Sequence, residues 1–371
     1  MTMRQHTRDG LQRLCGEGVS LWLDGLERDL LASGELARMA SKRPLSGLTT
    51  SGHDLLDAVA GPAYRAQLDD FTERGSRPEE AARRLLAVDA RWGCDVFLRR
   101  YRASGGRSGL VSVDPVPVTE RALAAEARAA WWAVDRPNLL LKLPATDESL
   151  DAIGELVGEG IGVDVTPVFS VHRYEQVQQA LFSGLERAHR AGLRLDGVHT
   201  AVSLPVAPLD AAVDARLAAA GAPPGRPPMG RTALAHARLV YHAYERGLAG
   251  DRWRALAAAG ARPPRLVWTA TEAHGPAGPD TRYADGLVAW GVTSALTRRT
   301  LDAVSRRALL SGDTLSGRHV SARLDLAVLT EFGVCLRQLA GELERAWLAD
   351  RRAAWEELRE RVGKLLGGPV G

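Results

Sequence analysis

The sequence is poor in lysine and cysteine, and it lacks long apolar runs. Of its 48 Lys and Arg residues only three are lysines, Lys42, Lys142 and Lys364. The three cysteines, Cys15, Cys94 and Cys335, lie far apart. They cannot all pair, none has metal-ligand spacing, and they read as reduced thiols. No apolar stretch approaches the ~18 residues needed to span a bilayer, so no membrane is expected as a partner. Met1 to Ser20 is polar and charged, which leaves no secretory signal to read and makes the cytoplasm the expected location. A strong charge excess is also missing. The formal net charge is +3 with both signs mixed along the chain, and no basic block with interleaved aromatics suggests a nucleic-acid partner. What is present, 45% hydrophobic and 25% charged residues over 371, fits a globular fold and excludes disorder.

Short β-like runs alternate with longer helical patterns. Eight candidate strands are read at 19–24, 47–50, 109–114, 138–143, 162–168, 197–204, 265–271 and 291–296. Helical periodicity fills 78–101, 119–133, 148–159, 171–191 and 230–249. Such alternation implies parallel pairing with crossover helices, and eight units predict a closed (β/α)8 TIM barrel. No glycine-rich phosphate fingerprint follows the first strand, which argues against a dinucleotide-binding sheet. The Pro/Gly-rich stretch 221–230 is read as an excursion between units. Residues 324–366 are read as terminal helices appended to a single domain covering 1–371. Trp131 and Trp132 are expected to pack, and the charged terminal helix would suit a monomer or a homodimer.

In a barrel of this kind chemistry gathers at the C-terminal ends of the strands. Lys142 is the unusual residue there. It closes the apolar run Leu139-Leu140-Leu141 and is followed by Leu143-Pro144, whereas Lys42 and Lys364 lie in polar surroundings. In a chain so biased toward arginine, a retained lysine at a strand end calls for a chemical reason. Arginine stays charged, but a desolvated lysine can lose its proton and attack a carbonyl, forming an iminium that serves as electron sink for C–C cleavage or formation. A lysine kept only for stability would instead pair with Asp24 or Asp164. Other polar residues at strand ends are Thr50 and Ser51, Ser112 and Asp114, Asp164 and Thr166, Ser203, and Thr271 with Glu272 and His274.

Several segments in order resemble the transaldolase family, in its longer bacterial type. They are Leu21-Trp22-Leu23-Asp24, Gly47-Leu48-Thr49-Thr50, Val113-Asp114-Pro115, the run from Arg136 to Thr146 with Lys142-Leu143-Pro144-Ala145-Thr146, the stretch from Gly160 through Thr166 to Ser170, and Asp280-Thr281-Arg282-Tyr283. The resemblance covers nearly the whole chain. It implies a (β/α)8 barrel, no metal or organic cofactor, a small carbonyl or sugar substrate, and Lys142 as the Schiff-base lysine. It also implies that Asp24 moves protons at the substrate hydroxyl, that Thr166 helps hold the catalytic water, and that Ser203 contacts substrate.

The departures from the family pattern are chemical. Ser51 stands where the family has a substrate-binding asparagine, and Ser112 replaces a glutamate that activates the proton-shuttling water. Asp164 replaces an asparagine, Pro208 a phosphate-binding arginine, and Glu272 with His274 the neighbourhood of a phosphate-side cation. Fewer cations make a dianionic sugar phosphate a poor fit. Asp164 is expected to supply part of the carboxylate lost at Ser112, because odd-numbered strands contribute to the same layer of a barrel. Thr50, Ser51, Ser112, Ser203 and His274 are the expected substrate contacts, with Lys142, Asp24, Thr166 and Asp164 as the chemical groups. Two readings stay open: a Schiff-base enzyme of the transaldolase type, ordinary or specialised for a less phosphorylated carbonyl compound, and a non-catalytic barrel used for binding or scaffolding.

Overall fold

The structure, a computed structural model, describes residues 9–117, 120–223, 229–272, 281–306 and 310–367. His274, residues 224–228 of the loop at 221–230 and Asp280 of the last family segment lie outside them. Eight parallel strands close into a barrel in sequence order. They are β1 (Ser20–Asp24), β2 (Leu45–Thr49), β3 (Leu110–Val113), β4 (Leu139–Leu143), β5 (Val163–Val165), β6 (Thr200–Pro205), β7 (Arg265–Thr269) and β8 (Val292–Leu296). The closing seam pairs Ser20 with Thr293 and Leu23 with Leu296.

All eight expected strands are present, with shifted ends. β5 stops at Val165, short of the expected residue 168, because Pro167 has no N–H to give the ladder. β6 starts at Thr200, since Leu195–Gly197 forms a 3-10 turn where strand was read. The expected helices appear as Pro78–Ala103, Leu123–Val134, Leu150–Gly158, Val171–Arg190 and Thr232–Ala249. The first begins with Pro78, has Glu79 and Glu80 in its first turn, and ends on Arg100 and Arg102, charges that complement the helix dipole. Val171–Arg190 is capped by Ser170, whose side chain accepts from Arg173 N at 3.1 Å. One packing expectation fails. Trp131 lies against the core, but Trp132 is 73% exposed, because adjacent residues on a helix point about 100° apart.

The strand period of two sorts the side chains. Val, Leu and Ile on the outward faces meet the helices in one large core. The barrel interior holds a separate cluster, Trp22, Leu110, Leu140, Ala201, Val267 and Ala295. Gly47 makes room for Trp22, since a Cβ at Gly47 would lie 2.6 Å from the indole nitrogen and 2.5 Å from the Leu110 carbonyl. Residues two positions further along these strands face inward one layer higher. That layer includes Asp24, Ser112, Lys142 and Ser203, joined by Asp164 through its register with Lys142. The terminal helix, Leu336–Leu365, returns to the barrel. Its Trp355, Leu358 and Val362 pack with Tyr64, Phe71 and Leu85 beside the barrel mouth. Among the described residues no helix is long and apolar enough to cross a membrane.

Candidate active site

Lys142 is the penultimate residue of β4, just before its end at Leu143, and only 9% of its side chain is exposed. Its Nζ donates to the Thr50 carbonyl oxygen and lies 3.3 Å from Asp114 Oδ2. Neither Asp24 nor Asp164 is its ion-pair partner, as a purely structural lysine was expected to require. Asp114, just past β3, takes that place. Its Oδ2 accepts the Thr50 hydroxyl at 3.0 Å, and its Oδ1 is ion-paired with Arg351 of the terminal helix. Burial pushes the Asp114 carboxyl up, but Arg351, Lys142 and Thr50 together outweigh it and hold the group below the usual carboxylate range.

Asp164 is fully buried beside Lys142 in the sheet register. Its Oδ2 accepts from the Ser112 hydroxyl at 2.6 Å, and its Oδ1 accepts from the Ser203 hydroxyl at 2.7 Å. The contact between β3 and β5 follows from the shared layer, so the carboxylate on β5 and the hydroxyl on β3 meet across the barrel. Burial raises the Asp164 pKa, while Lys142 and the two serines draw it back. Ser112 and Ser203 are themselves enclosed, so both face the carboxylate more than the open mouth.

Asp24 ends β1. Burial first, with Lys142 pulling the other way and Asp54, Asp114 and Glu272 adding repulsion, pushes its pKa up to about 6. Thr166 is buried and borders the same cleft as Lys142. Ser51 is exposed and turned to Asp54, giving its hydroxyl to Oδ1 at 2.5 Å and its N–H to Oδ2 at 3.0 Å. Leu26 N also donates to Asp54, at 2.8 Å. Burial raises the Asp54 pKa against these bonds. Glu272 accepts from Thr297 at 2.6 Å.

Two clefts of ≈ 50 Å³ each flank this centre. One is bordered by Lys142, Thr166, Pro144, Leu348, Arg351 and Arg352. The other is bordered by Thr50, Ser51, Asp54, Asp114, Arg351 and Trp355. Each has room for a few waters, or for a small polar group that displaces them. Among the described residues no group of three or more His, Cys, Asp or Glu is placed to hold a metal ion.

The sequence reading brought Lys142, Thr50, Ser112, Asp164, Thr166 and Ser203 into one neighbourhood, and the structure gathers them there. Arg351 and Asp54 were missed. For Asp54 a signal existed, a serine and an aspartate spaced i, i+3 at a helix start, which is capping chemistry. For Arg351 none existed, because one arginine among many on a charged helix looks solvated.

Comparison with known proteins agrees with this geometry. Residues 21–362 match the family described as Transaldolase/Fructose-6-phosphate aldolase. The chain is 41% identical over 367 residues to Transaldolase 1 of Streptomyces avermitilis, covering 98% of this chain and 97% of that one. It is 42% identical over 361 residues to the transaldolase of Thermobifida fusca, covering 96% and 98%. It is 37% identical over 354 residues to Transaldolase 2 of Streptomyces coelicolor, covering 94% and 95%. A closed eight-stranded barrel and full-length similarity at this level lead to one conclusion: the chain belongs to the transaldolase/fructose-6-phosphate aldolase family and is a transaldolase-type enzyme.

Proposed function

We propose that Lys142 condenses with a ketone and that the enzyme transfers a ketol unit, or makes or cleaves a C–C bond, on a specialised substrate carrying less phosphate than a sugar phosphate. The observation carrying this reading is the lysine itself: a nearly enclosed amine at the C-terminal end of a barrel strand, bordering a cleft. The amine adds to the carbonyl carbon and water leaves, giving an iminium. Asp24 takes the proton of the hydroxyl two carbons away, the C–C bond breaks toward the iminium, and an aldehyde departs from an enamine. The enamine then adds to an acceptor aldehyde, and hydrolysis frees Lys142. Thr166, on the cleft wall, suits a hydrogen bond to the water used in these steps.

The second part of the proposal concerns the carboxylate on β5. Asp164 receives hydrogen bonds from Ser112 and Ser203, so it is built to hold a charge or a proton next to Lys142 and substitutes for the glutamate absent at Ser112. Charge favours the specialised substrate. Asp24, Asp54, Asp114, Asp164 and Glu272 lie around Lys142, outnumbering the cations Lys142, Arg351 and Arg352 at the cleft. Bringing a phosphate dianion into such a neighbourhood costs Coulomb energy at low effective dielectric.

The test is chemical trapping. The protein is incubated with dihydroxyacetone, fructose and their phosphates, reduced with borohydride, and mapped by mass spectrometry. A substrate-dependent adduct on Lys142, lost in Lys142→Arg, is expected, and the unphosphorylated donors should trap at lower concentration. Better trapping of the phosphates would return the protein to ordinary sugar-phosphate chemistry. No adduct from any donor would favour the non-catalytic, scaffolding barrel.

A further inference from the structure

Two cations share one carboxylate at the floor of the site. Lys142 Nζ approaches Asp114 Oδ2 to 3.3 Å, and Arg351 is paired with Oδ1 of the same group. Thr50 ties Asp114 down twice, donating its hydroxyl to Oδ2 at 3.0 Å and accepting the Asp114 backbone N–H at 3.2 Å. The side chains are well enclosed, at 9% exposure for Lys142, 7% for Asp114 and 15% for Arg351. An isolated, poorly hydrated Asp114–Lys142 pair would favour the ammonium, and an ammonium has no lone pair to offer a carbonyl.

The other groups facing Lys142 do not alter that balance in the same way. Asp24 on β1, Asp54 after β2 and Asp164 on β5 are each shifted by burial toward the neutral form. Asp114 is shifted the other way, below the usual carboxylate range, by Arg351, Lys142 and Thr50. Glu272 acts on Asp24 from beyond β7, and Arg352 borders the Lys142 cleft. Arg351 is thus the cation placed to take up the charge of Asp114, and a guanidinium does so at any ordinary pH.

Resting on the Schiff-base reading of Lys142, we propose that Arg351 is a positioning residue: through Asp114 it leaves the Lys142 amine free to condense, and it makes the terminal helix a working part of the active site. It reaches the reaction by neutralising a carboxylate that would otherwise lock the nucleophile. It need not touch substrate.

The scarcity of lysine makes the test direct. Trace acetylation with acetic anhydride across pH, read by mass spectrometry, reports when each amine becomes reactive. The exposed Lys42 and Lys364 serve as internal references. Arg351→Gln should move the half-labelling pH of Lys142 upward by about one unit or more, leaving the references where they are, since removal of a nearby cation favours the ammonium. Arg351→Lys, which keeps the charge, should recover most of the shift. Asp114→Asn should move the midpoint downward, and it carries the test if Arg351→Gln does not fold.

In borohydride trapping, Arg351→Gln should slow adduct formation at neutral pH, regain rate at higher pH, and keep the donor concentration for half-maximal rate. A folded Arg351→Gln with an unmoved Lys142 midpoint, or an unmoved midpoint in Asp114→Asn, overturns the proposal. The two ideas fail separately. A midpoint shift without any substrate adduct sinks the Schiff-base reading, whereas adducts with fixed midpoints sink the role of Arg351.

Discussion

Asp24 shows how one half-buried carboxyl ties stability to pH. Its native pKa of about 6 exceeds the ordinary carboxylate value, so the folded state holds this proton more tightly than the unfolded chain does. The favourable contribution is present in acid and fades as pH rises through 6, where the ionised group must be kept among Asp54, Asp114 and Glu272. Asp24→Asn is therefore expected to be more stable than the parent at pH 8, by on the order of 2 kcal/mol, with the gain vanishing below pH ~4. Urea midpoints across pH check this, and an equal gain at pH 4 and pH 8 would refute it. On the proposed mechanism the same variant should lose turnover, because an amide cannot take the hydroxyl proton. Asp164→Asn belongs beside it. It keeps the shape and both serine neighbours but removes the ionisable carboxyl, and on the proposed mechanism turnover should fall at least about 100-fold while the melting temperature holds or rises. Near-normal turnover would remove Asp164 from the mechanism.

At the scale of elements, the strands were readable because each couples a brief apolar run to a turn signal, and their ends were not. Pro167 cuts β5 early, and the turn at Leu195–Gly197 delays β6, both through local hydrogen bonding that apolar pattern does not encode. Lys142, Asp24 and Asp164 could be placed at strand ends because the inward-facing register repeats every two residues. The Ser112–Asp164 contact was anticipated from the layering of odd strands, and the distance of 2.6 Å realises it. The terminal helix was read, but the docking of its polar face was not. Its polar face holds Arg351 against Asp114, while Trp355 and Leu358 bury themselves among the helices near β3. That docking depends on tertiary contacts between the two ends of the chain, and neither helix propensity nor charge pattern specifies such a contact.

At the scale of the molecule, the barrel interior is a packed column, and its tolerances are narrow. Trp22 fills the axis opposite Leu140 and Val267, and Gly47 yields the space that its indole needs. Gly47→Ala should cost about 2 kcal/mol or more, because the added methyl meets both a backbone carbonyl and the indole. Denaturant unfolding followed by tryptophan fluorescence measures the loss, and an unchanged midpoint would mean that the interior yields more readily than its packing suggests.

The origin of the residues around Lys142 has one further consequence. Asp24 is supplied by the first barrel strand and Arg351 by a helix that follows the last one, so a ribosome must deliver all eight strands and then that helix before Lys142 acquires its full set of neighbours. A nascent chain halted before Leu336 would carry every barrel strand and still lack the charge that answers Asp114. On the proposal above, carbonyl chemistry would then wait for that helix to dock, however complete the strands already are.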